Sequence, residues 1–436
     1  MVTWLTLCAI INSAMLHSML GIGIFVLTLV AIMMRPFRIT EALAAIGGAA
    51  LMLLFGFVAP TEAVHLVLSE WNIYGFFLGL MIITAMVDQA GMFEALAGWT
   101  ARLAKGSAST LFIGVFIVGT ILTAFLSNDA TALILTPAVY AMVTRLRLPV
   151  LPFMFVCTFI ADTASFLLPV SNPINVIILN SFGAGLGPFL HYLLLPALFS
   201  IAFNILVFLA VFRKDLRLTY DPEILPVWRP ASLVHFRFTA VALCVVALAF
   251  ILASIFTIPL SIVALSGAAL LLIGSLCSRR LDWKRLRGEI AWSLFIFISG
   301  IFLVIRGVEN LGLAGRFSAI LANLANASTF WATIFTAAAS AVGANLINNL
   351  PMALLMVPTL HGVMSTANAQ PALVYAAVMG CDLGPNLTTF GSLATMFWLL
   401  ILRRKGLEVS SIEYFKLGTL VVPVMVVVGA ILIWLI

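Results

Sequence analysis

The sequence predicts an all-α polytopic membrane protein built from two inverted structural repeats, each with a re-entrant hairpin and a broken transmembrane helix. Three observations lead to this fold class. The chain of 436 residues is 63% hydrophobic and only 9% charged, so it lacks the polar surface that a soluble protein of this length needs. Apolar runs near the ~20 residues that cross a bilayer recur along it. Polar breaks interrupt some of these runs at related positions in the two halves.

The apolar runs predict about ten spans. Their approximate residues are 16–34, 41–59, 72–90, 150–182, 190–212, 238–256, 259–277, 290–307, 372–402 and 412–436. Two further segments, 109–144 and 327–366, are interrupted by SND and NNLP, and we interpret each as a hairpin that enters and leaves on one side. Alternatively, each of the two segments could form a pair of full membrane spans, and the topology of the rest of the chain would then be the same.

Basic residues set the predicted orientation. With the loop of Arg35 and Arg38 in the cytoplasm, alternation of the spans places all of the 22 Lys and Arg residues there except Arg306 and Arg316. The formal charge of +6 is therefore mostly an orientation signal and not a nucleic-acid footprint. We expect a multi-pass protein of the cell membrane, the inner or plasma membrane, and leave residues 1–15 without a placement.

The two halves repeat. GGAALMLL from Gly47 returns as SGAALLLI from Ser266, and Asn128 returns 220 positions later as Asn348. In the predicted topology the first span and its partner run in opposite directions, so the halves are inverted, as in many secondary carriers. The predicted organisation is an N-terminal extension (1–20), a first repeat (21–212), a cytoplasmic linker (213–237) and a second repeat (238–436).

The polar breaks predict one shared chamber near the membrane midplane. Non-helical backbone at this depth must face protein or a water-filled cavity, and Ser, Asn and Asp cap helices that restart there. Free N–H groups at such helix starts offer donors to a small oxygen-rich solute. The candidate translocation residues at these breaks are Ser127, Asn128, Asp129, Asp162, Ser171, Asn172, Asn348, Asn349, Asp382, Thr388 and Ser392.

Three of these residues, Asp129, Asp162 and Asp382, are also the candidates for proton coupling. A charge at mid-membrane is costly, so a buried carboxyl group favours its neutral form and can load and unload a proton. The alternative is that each aspartate only caps a half-helix. For Asp162 and Asp382, which match in the repeat, both roles stay open. Asp129 has the amide Asn349 as its repeat mate, which favours proton coupling there.

Several other classes of protein fit the sequence poorly. The five cysteines form no CxxC pair, and no GxxxxGK[ST] loop occurs, so we expect no metal, no cofactor and no ATP site in this chain. Energy would come from an ion gradient or from a separate ATPase. GCDLGP does not match the GxGD motif of intramembrane aspartyl proteases, and a purely structural subunit would not need four polar breaks.

Four segments carry a resemblance to a known family: SNDATALILTP, ADTASFLLPVSNPINVI, NNLP and GCDLGPNLTTFGSLATMFWLLILRRKG. In this order and spacing they resemble the arsenite/antimonite efflux pumps, the ArsB family of the ion transporter superfamily, from about Gly21 onward. The resemblance implies export of trivalent arsenic or antimony as the neutral hydroxide in exchange for protons, sometimes with a soluble ATPase on the cytoplasmic face. It implies a translocation site that includes Asn128, Asp129, Asp162, Asn172, Asn348, Asn349, Asp382 and Ser392.

The chain departs from the usual family pattern at Ala130-Thr131, at Cys381 and at Thr389-Phe390. Trivalent arsenic is thiophilic, so Cys381 joins the candidate site residues. Packing is its favoured role, because a deep thiol bond would slow release from a carrier. The alternative function is a sodium/proton or small-anion carrier of the same superfamily, and export of silicic or boric acid also stays open.

Overall fold

A computed structural model describes residues 2–34, 39–224, 232–256, 258–366 and 370–436. Arg35 and Arg38, on which the predicted orientation starts, and residues 225–231 of the predicted linker lie outside the described residues.

Almost all of the described chain is helical. The helices, numbered in chain order, are α1 (Val2–Met34), α2 (Glu41–Leu54), α3 (Pro60–Ser69), α4 (Trp71–Gln89), α5 (Met92–Leu103), α6 (Ala108–Leu126), α7 (Asn128–Arg145), α8 (Val150–Thr163), α9 (Pro173–Phe182), α10 (Leu186–Val211), α11 (Leu233–Ile255), α12 (Leu260–Cys277), α13 (Trp283–Glu289), α14 (Trp292–Asn310), α15 (Leu313–Ala327), α16 (Thr329–Ile347), α17 (Asn349–Thr366), α18 (Ala372–Leu383), α19 (Leu393–Arg404) and α20 (Ser411–Leu435). Short 3-10 turns cover Pro169–Ser171, Asp215–Arg217, Pro222–Ile224 and Gly384–Leu387. The described residues form no strand beyond a single bridge between Ser107 and Thr219, so the all-α prediction is confirmed.

Within the described residues, eight helical segments are long and apolar enough to cross a membrane. They are Trp71–Gln89, Ala108–Leu126, Leu186–Val211, Leu233–Ala253, Leu260–Cys277, Trp283–Asn310, Thr329–Ile347 and Ser411–Leu435. The chain is therefore a multi-pass membrane protein, as predicted. The predicted spans 150–182 and 372–402 are each divided into two shorter helices by a 3-10 turn.

Four short helices have no counterpart among the predicted spans: α3, α5, α13 and α15. The predicted span 41–59 ends early, at Leu54, and α3 begins at Pro60. Each short helix mixes polar and apolar residues over 15 residues or fewer, so a search for long apolar runs passes over it.

Helix bounds in the two halves recur at one offset. The paired helices α4 and α14 have 19 residues each, α6 and α16 have 19 each, and α7 and α17 have 18 each. In every pair the second helix starts 221 positions after the first. This regularity supports a structural repeat, whereas the inverted orientation of the halves stays a prediction.

The chain divides into two compact units, each discontinuous in sequence. Unit 1 comprises the described parts of Met1–Trp71, Ala291–Asn326 and Leu354–Ala369, and unit 2 those of Asn72–Ile290, Ala327–Ala353 and Gln370–Ile436. Both units draw residues from both predicted repeats, and the repeat boundaries at 21–212 and 238–436 stay a prediction.

In unit 1, α2 packs on α14. Arg306 on α14 pairs with Glu62 at 2.6 Å and with Glu309 at 2.7 Å. The hydrogen bond from Arg306 is the main reason that the pKa of Glu62 lies below its usual range. Arg306 is one of the two basic residues predicted outside the cytoplasm, and these two carboxylates balance its charge.

In unit 2, a series of aromatic contacts holds α8 in place. Phe116 on α6 contacts Phe208 on α10 with ring centroids 5.9 Å apart, and Phe208 contacts Phe159 on α8 at 4.9 Å. Phe159 also lies 5.0 Å from the ring of Tyr414 on α20. Such pairs add to the apolar burial and fix relative orientation, so the last turn of α8, which carries Asp162, has a rigid support.

Small residues let α18 approach α16 closely. A Cβ atom at Gly380 would overlap the carbonyl oxygen of Ala337, and one at Gly384 would overlap that of Ala341. Glycine at these positions permits direct backbone contact between membrane helices. This contact sets the position of Asp382, which lies between the two glycines in the last turn of α18.

The described part of the linker is attached to the base of the first hairpin. Ser109 donates to the Leu216 carbonyl at 2.7 Å, and the Tyr220 N–H donates to the Gly106 carbonyl at 2.9 Å. The Tyr220 hydroxyl donates to the Ala101 carbonyl at 2.6 Å, and burial raises the pKa of Tyr220 to about 12, so the donor is retained at neutral pH. The linker thereby fixes the start of α6.

Candidate functional site

The first hairpin turns at Ser127, between α6 and α7. Its φ of 117° and ψ of 161° lie in a region that residues with side chains rarely adopt. Its hydroxyl accepts from the Ala130 N–H at 3.4 Å and caps α7. Asn128 Oδ1 accepts from the Asp129 N–H at 2.9 Å, which leaves its Nδ2 group to donate to Asp162 at 3.3 Å. The tip thus presents a fixed amide donor to α8.

The second hairpin turns at Asn348, between α16 and α17, also with a positive φ of 72°. Asn348 Nδ2 donates to the Phe390 carbonyl at 3.2 Å, and the Asn349 N–H donates to the Gly391 carbonyl at 2.9 Å. The residues before α19 are therefore hydrogen-bonded to this tip, and the hairpin and the second broken span form one polar region.

The helix bounds refine the register between the two tips. The sequence match at offset 220 pairs Asp129 with Asn349, but the starts of α7 and α17 differ by 221, which pairs Asn128 with Asn349 and Asp129 with Leu350. In either register the mate of Asp129 is not an acid, so the second hairpin offers no equivalent of its carboxylate.

Asp162 lies in the last turn of α8 and is fully buried. Its Oδ1 accepts from Asn128 Nδ2 at 3.3 Å, and its Oδ2 accepts from Ser392 Oγ at 3.0 Å and from Thr395 Oγ1 at 3.2 Å. Three donors on two oxygens are the arrangement that stabilises an ionised carboxylate in an apolar interior.

Asp382 lies in the corresponding turn of α18 and is also fully buried. Its Oδ1 accepts from Asn172 Nδ2 at 2.6 Å. Its Oδ2 has no hydrogen-bond partner within the part of the chain that the structure describes. A buried oxygen without a donor fits a carboxyl group that carries a proton or that receives a partner only in another state.

Two caps link the predicted repeats. Asn172 begins α9 and Ser392 begins α19, and each side chain accepts a backbone N–H of its own helix at 3.2 Å. Asn172 also donates to Asp382, and Ser392 donates to Asp162, so each cap contacts the aspartate of the other predicted repeat. The carboxylates thereby lie beside helix N-termini, whose dipoles favour negative charge.

Asp129 lies in the first turn of α7 and is half-buried. Among the described residues, no donor forms a hydrogen bond to its carboxylate. Asp129 thus differs from Asp162 and Asp382, because its side chain is partly exposed and no hydrogen-bond donor stabilises its charged form. Such a carboxyl group is suited to exchanging protons with water.

Besides Ser127, Asn348 and Asn349 at the hairpin tips, three predicted site residues form no hydrogen bond to the aspartates. Ser171 donates to the Ala124 carbonyl at 3.3 Å and holds the break against α6. Thr388 donates to Asn345 Oδ1 at 2.7 Å. Cys381 is a free thiol fully buried on α18. The hydrogen bonds of Ser171 and Thr388 attach the two breaks to α6 and α16.

Sequence reasoning missed several polar residues of this region, and two of them match across the repeat. Thr395 donates to Asp162, and Asn175 donates to the Ser165 carbonyl at 2.7 Å inside the first break. Each lies three residues after a cap, and the two are 220 positions apart. The same offset that paired Asn128 with Asn348 would have found them.

One comparison with known proteins decides the family. The model of the ArsB family, described as arsenical pump membrane protein, matches residues 20–435. The chain belongs to the arsenical pump membrane protein family. The match covers nearly the whole chain, including both hairpins and both broken spans, and it confirms the resemblance carried by the four sequence segments.

Relatives of this arsenical pump family member extend along its whole length. The arsenical pump membrane protein of Escherichia coli K12 is 32% identical over 413 residues, which cover 93% of this chain and 96% of the relative. A 46 kDa membrane protein of Mycobacterium leprae is 24% identical over 448 residues, covering 96% and 98%.

Among solved structures, the YdaH transporter of Alcanivorax borkumensis, whose topology is described as unusual, has a similar fold. The TM-score is 0.57 at 15% identity, with 96% of this chain and 97% of that chain covered.

Proposed function

We propose that the protein exports trivalent arsenic and antimony as their neutral hydroxides, in exchange for protons, by alternating access. Membership of the arsenical pump family supports the class of substrate. The observation that carries the proposal is the buried polar cluster in which the first hairpin tip and two half-helix caps donate to Asp162 and Asp382, and the second hairpin tip donates to the backbone before α19. Binding between broken helices is the arrangement used by many secondary carriers.

The donors of this cluster suit a neutral hydroxide. Within the described chain, its hydrogen bonds come from Asn, Ser and Thr side chains and from backbone groups, and none comes from Lys or Arg. A substrate anion would need a cation or several dedicated donors to replace its hydration. A trihydroxide both donates and accepts hydrogen bonds, so amide and hydroxyl side chains can replace its water.

The three aspartates differ in their suitability as proton carriers. Asp129 is half-buried and lacks donors, so it can reach water and can be neutral or charged. Asp382 has one oxygen without a partner and is the second candidate. Asp162 accepts three hydrogen bonds, which favours a structural role. In the proposed cycle Asp129 takes a proton at the outer face and releases it to the cytoplasm while the hydroxide moves outward.

A soluble ATPase partner on the cytoplasmic face, which the family resemblance implied, would add a second energy source. The proposed proton exchange requires no such partner. Transport by membranes that contain this chain alone, without ATP, tests the difference.

The deciding experiment is arsenite uptake into everted membrane vesicles with and without an imposed proton gradient. The native chain should accumulate arsenite when the gradient is present, and Asp129→Asn should lose the gradient-driven component. Asp221→Asn, which changes an exposed aspartate of the linker, is the matched control and should transport as the native chain does.

Two outcomes would overturn the proposal. Absence of arsenite uptake together with sodium-dependent proton movement would indicate the sodium/proton carrier of the same superfamily. Full gradient-driven uptake by Asp129→Asn would remove Asp129 from the coupling step.

A further inference from the structure

A cavity of about 180 Å³ opens in unit 2 beside the break between α8 and α9. We call it the vestibule and define it by Asn72, Pro169, Val176, Asn180, Ala184 and Leu260 among its lining residues. Its volume admits several waters, since one water needs only about 10–15 Å³. Asn72 and Asn180 are polar residues of its lining.

The vestibule opens at the ends of helices that lie away from the basic loops. Asn72 is near the start of α4, Ala184 precedes α10 and Leu260 begins α12. The other ends of α10 and α12 lead into the arginine-rich segments after residues 211 and 277. Basic segments mark the cytoplasmic side, so the vestibule opens on the extracytoplasmic side.

A second, much smaller cavity lies beside the vestibule, and the two have Leu186 as well as Pro169 in common. It measures about 10 Å³. Its other walls include Phe125, Leu168 and Phe250. All of these side chains are apolar, and the space is at or below the limit for one water, so it offers a water molecule no polar partner, and we call it the dry space.

The dry space lies next to the first hairpin tip along the chain. Phe125 is two residues before Ser127, in the last turn of α6. Any movement of the tip therefore moves Phe125 with it. An apolar constriction of this kind blocks water and polar solutes until it widens.

We propose that the vestibule is the extracytoplasmic exit path for the neutral hydroxide and that Phe125, Leu168 and Phe250 form its closed gate. The inference rests on the proposed export function for the identity of the solute. The order along the path is the polar cluster, the gate, the vestibule and the outside. A neutral solute can cross an apolar gate at lower cost than an anion, because it carries no charge to desolvate.

Thiol labelling tests the vestibule without any transport. In a background with Cys8, Cys244 and Cys277 replaced by alanine, Asn180→Cys places a thiol at an exposed position of the vestibule wall, and Ile178→Cys places one at a buried position of the same helix. A membrane-impermeant maleimide added to intact cells should label Asn180→Cys at least about tenfold faster than Ile178→Cys, because thiol reaction follows access. Equal rates, or labelling of Asn180→Cys only in everted vesicles, would overturn the exit path.

A second labelling pair tests the gate. Val170→Cys lines the dry space and should be protected, and adding Phe250→Ala should increase its labelling about tenfold by opening access. Leu248→Ala, an exposed residue on the same helix, is the control for a truncated apolar side chain. Retained labelling of Asn180→Cys in the Phe250→Ala background reports intact folding. An unchanged rate at Val170→Cys in that folded background would overturn the gate.

Transport then links the path to the solute. Ala184→Trp fills the vestibule and should reduce arsenite uptake into everted vesicles, whereas Gly187→Trp, which projects into open space, should not. Normal uptake by Ala184→Trp would overturn the exit path. If the native chain itself moved no arsenite, the proposed function would fail, and the labelling rates would still decide whether the path and gate exist.

Discussion

At the scale of single residues, Asp162 and Asp382 occupy matching turns but have different surroundings. Asp162 accepts hydrogen bonds on both oxygens, whereas one oxygen of Asp382 has no donor in the described chain. Replacing a carboxylate that accepts from several buried donors lowers the free energy of unfolding more than replacing a carboxylate that accepts from a single donor. The two residues should therefore respond differently to the same substitution.

We expect Asp162→Asn to lower the free energy of unfolding by about 1–3 kcal/mol, because three hydrogen bonds to a charged group become bonds to a neutral amide, and the hydroxyls of Ser392 and Thr395 must turn to accept from its Nδ2 group. Asn128 cannot turn to relieve this, since its Oδ1 accepts from the Asp129 N–H. Asp382→Asn should lower the free energy of unfolding clearly less, because the Nδ2 group of the new asparagine can occupy the place of the oxygen that has no partner. Thermal unfolding of the detergent-solubilised variants measures the difference. Equal losses of stability in the two variants would contradict the different surroundings of Asp162 and Asp382.

Part of the site could be predicted from residues alone. Asn172, Ser392 and the aspartates were found because a polar residue inside an apolar run is rare and costly. Their partners were not predictable: Asn172 and Asp382 are 210 positions apart, and only the folded chain brings them together. Tyr414, whose hydroxyl lies 3.4 Å from Thr395 Oγ1, has no local sequence signal at all.

At the scale of helices, the caps of α19 and α20 form a natural comparison. Ser392 and Ser410 each accept a backbone N–H at 3.2 Å. Ser410 is exposed, whereas Ser392 is fully buried and also donates to Asp162. Ser410→Ala should cost about 1 kcal/mol, the usual value of a lost cap. Ser392→Ala should cost about 1.5–3 kcal/mol more, because a hydrogen bond to a charged group is lost as well.

Thermal unfolding of both serine variants, measured with the native chain in one detergent, gives this comparison. Arsenite uptake by Ser410→Ala should be unchanged, which separates the loss of a cap from damage to the site. Equal destabilisation by the two substitutions would show that the bond to Asp162 contributes nothing.

The first hairpin tip combines backbone strain with a cap. A residue with a side chain at φ 117° costs of order 1–3 kcal/mol, and glycine removes this cost. Ser127→Gly should therefore keep or raise stability, since glycine replaces a serine cap at a cost of a few tenths of a kcal/mol. Ser127→Ala keeps the strain and loses the cap, so it should destabilise by about 1 kcal/mol. Thermal unfolding measures both variants. A higher stability of Ser127→Ala than of Ser127→Gly would show that the backbone at Ser127 is not strained.

The helices differ in how well the sequence predicted them. Long apolar helices such as α10 and α20 follow from hydropathy, because lipid demands an apolar surface. The short helices α5 and α15 do not, because each is stabilised by an amphipathic face that a long window averages away. The glycines before them, Gly91 with φ 77° and Gly312 with φ 75°, are the local signal that a new helix begins.

At the scale of the whole molecule, the charge pattern and the helix repeat point to the same architecture. Helices of equal length recur 221 positions apart, and basic residues gather in the loops predicted to be cytoplasmic. A parallel repeat would place equivalent loops on one side of the membrane, whereas an inverted repeat places them on opposite sides. Equivalent loops therefore distinguish the two arrangements directly.

The loops after α9 and α19 are such a pair. Residues 183–185 contain no charge, whereas Arg403, Arg404 and Lys405 precede the second loop. With Cys8, Cys244 and Cys277 replaced by alanine, an impermeant maleimide added to intact cells should label Ala184→Cys and spare Glu408→Cys. In everted vesicles the order should reverse, because the orientation of each loop follows its basic residues. Labelling of both positions from the same side of the membrane would exclude an inverted repeat. Labelling of Glu408→Cys in intact cells and of Ala184→Cys in everted vesicles would show that the predicted orientation of the whole chain is reversed.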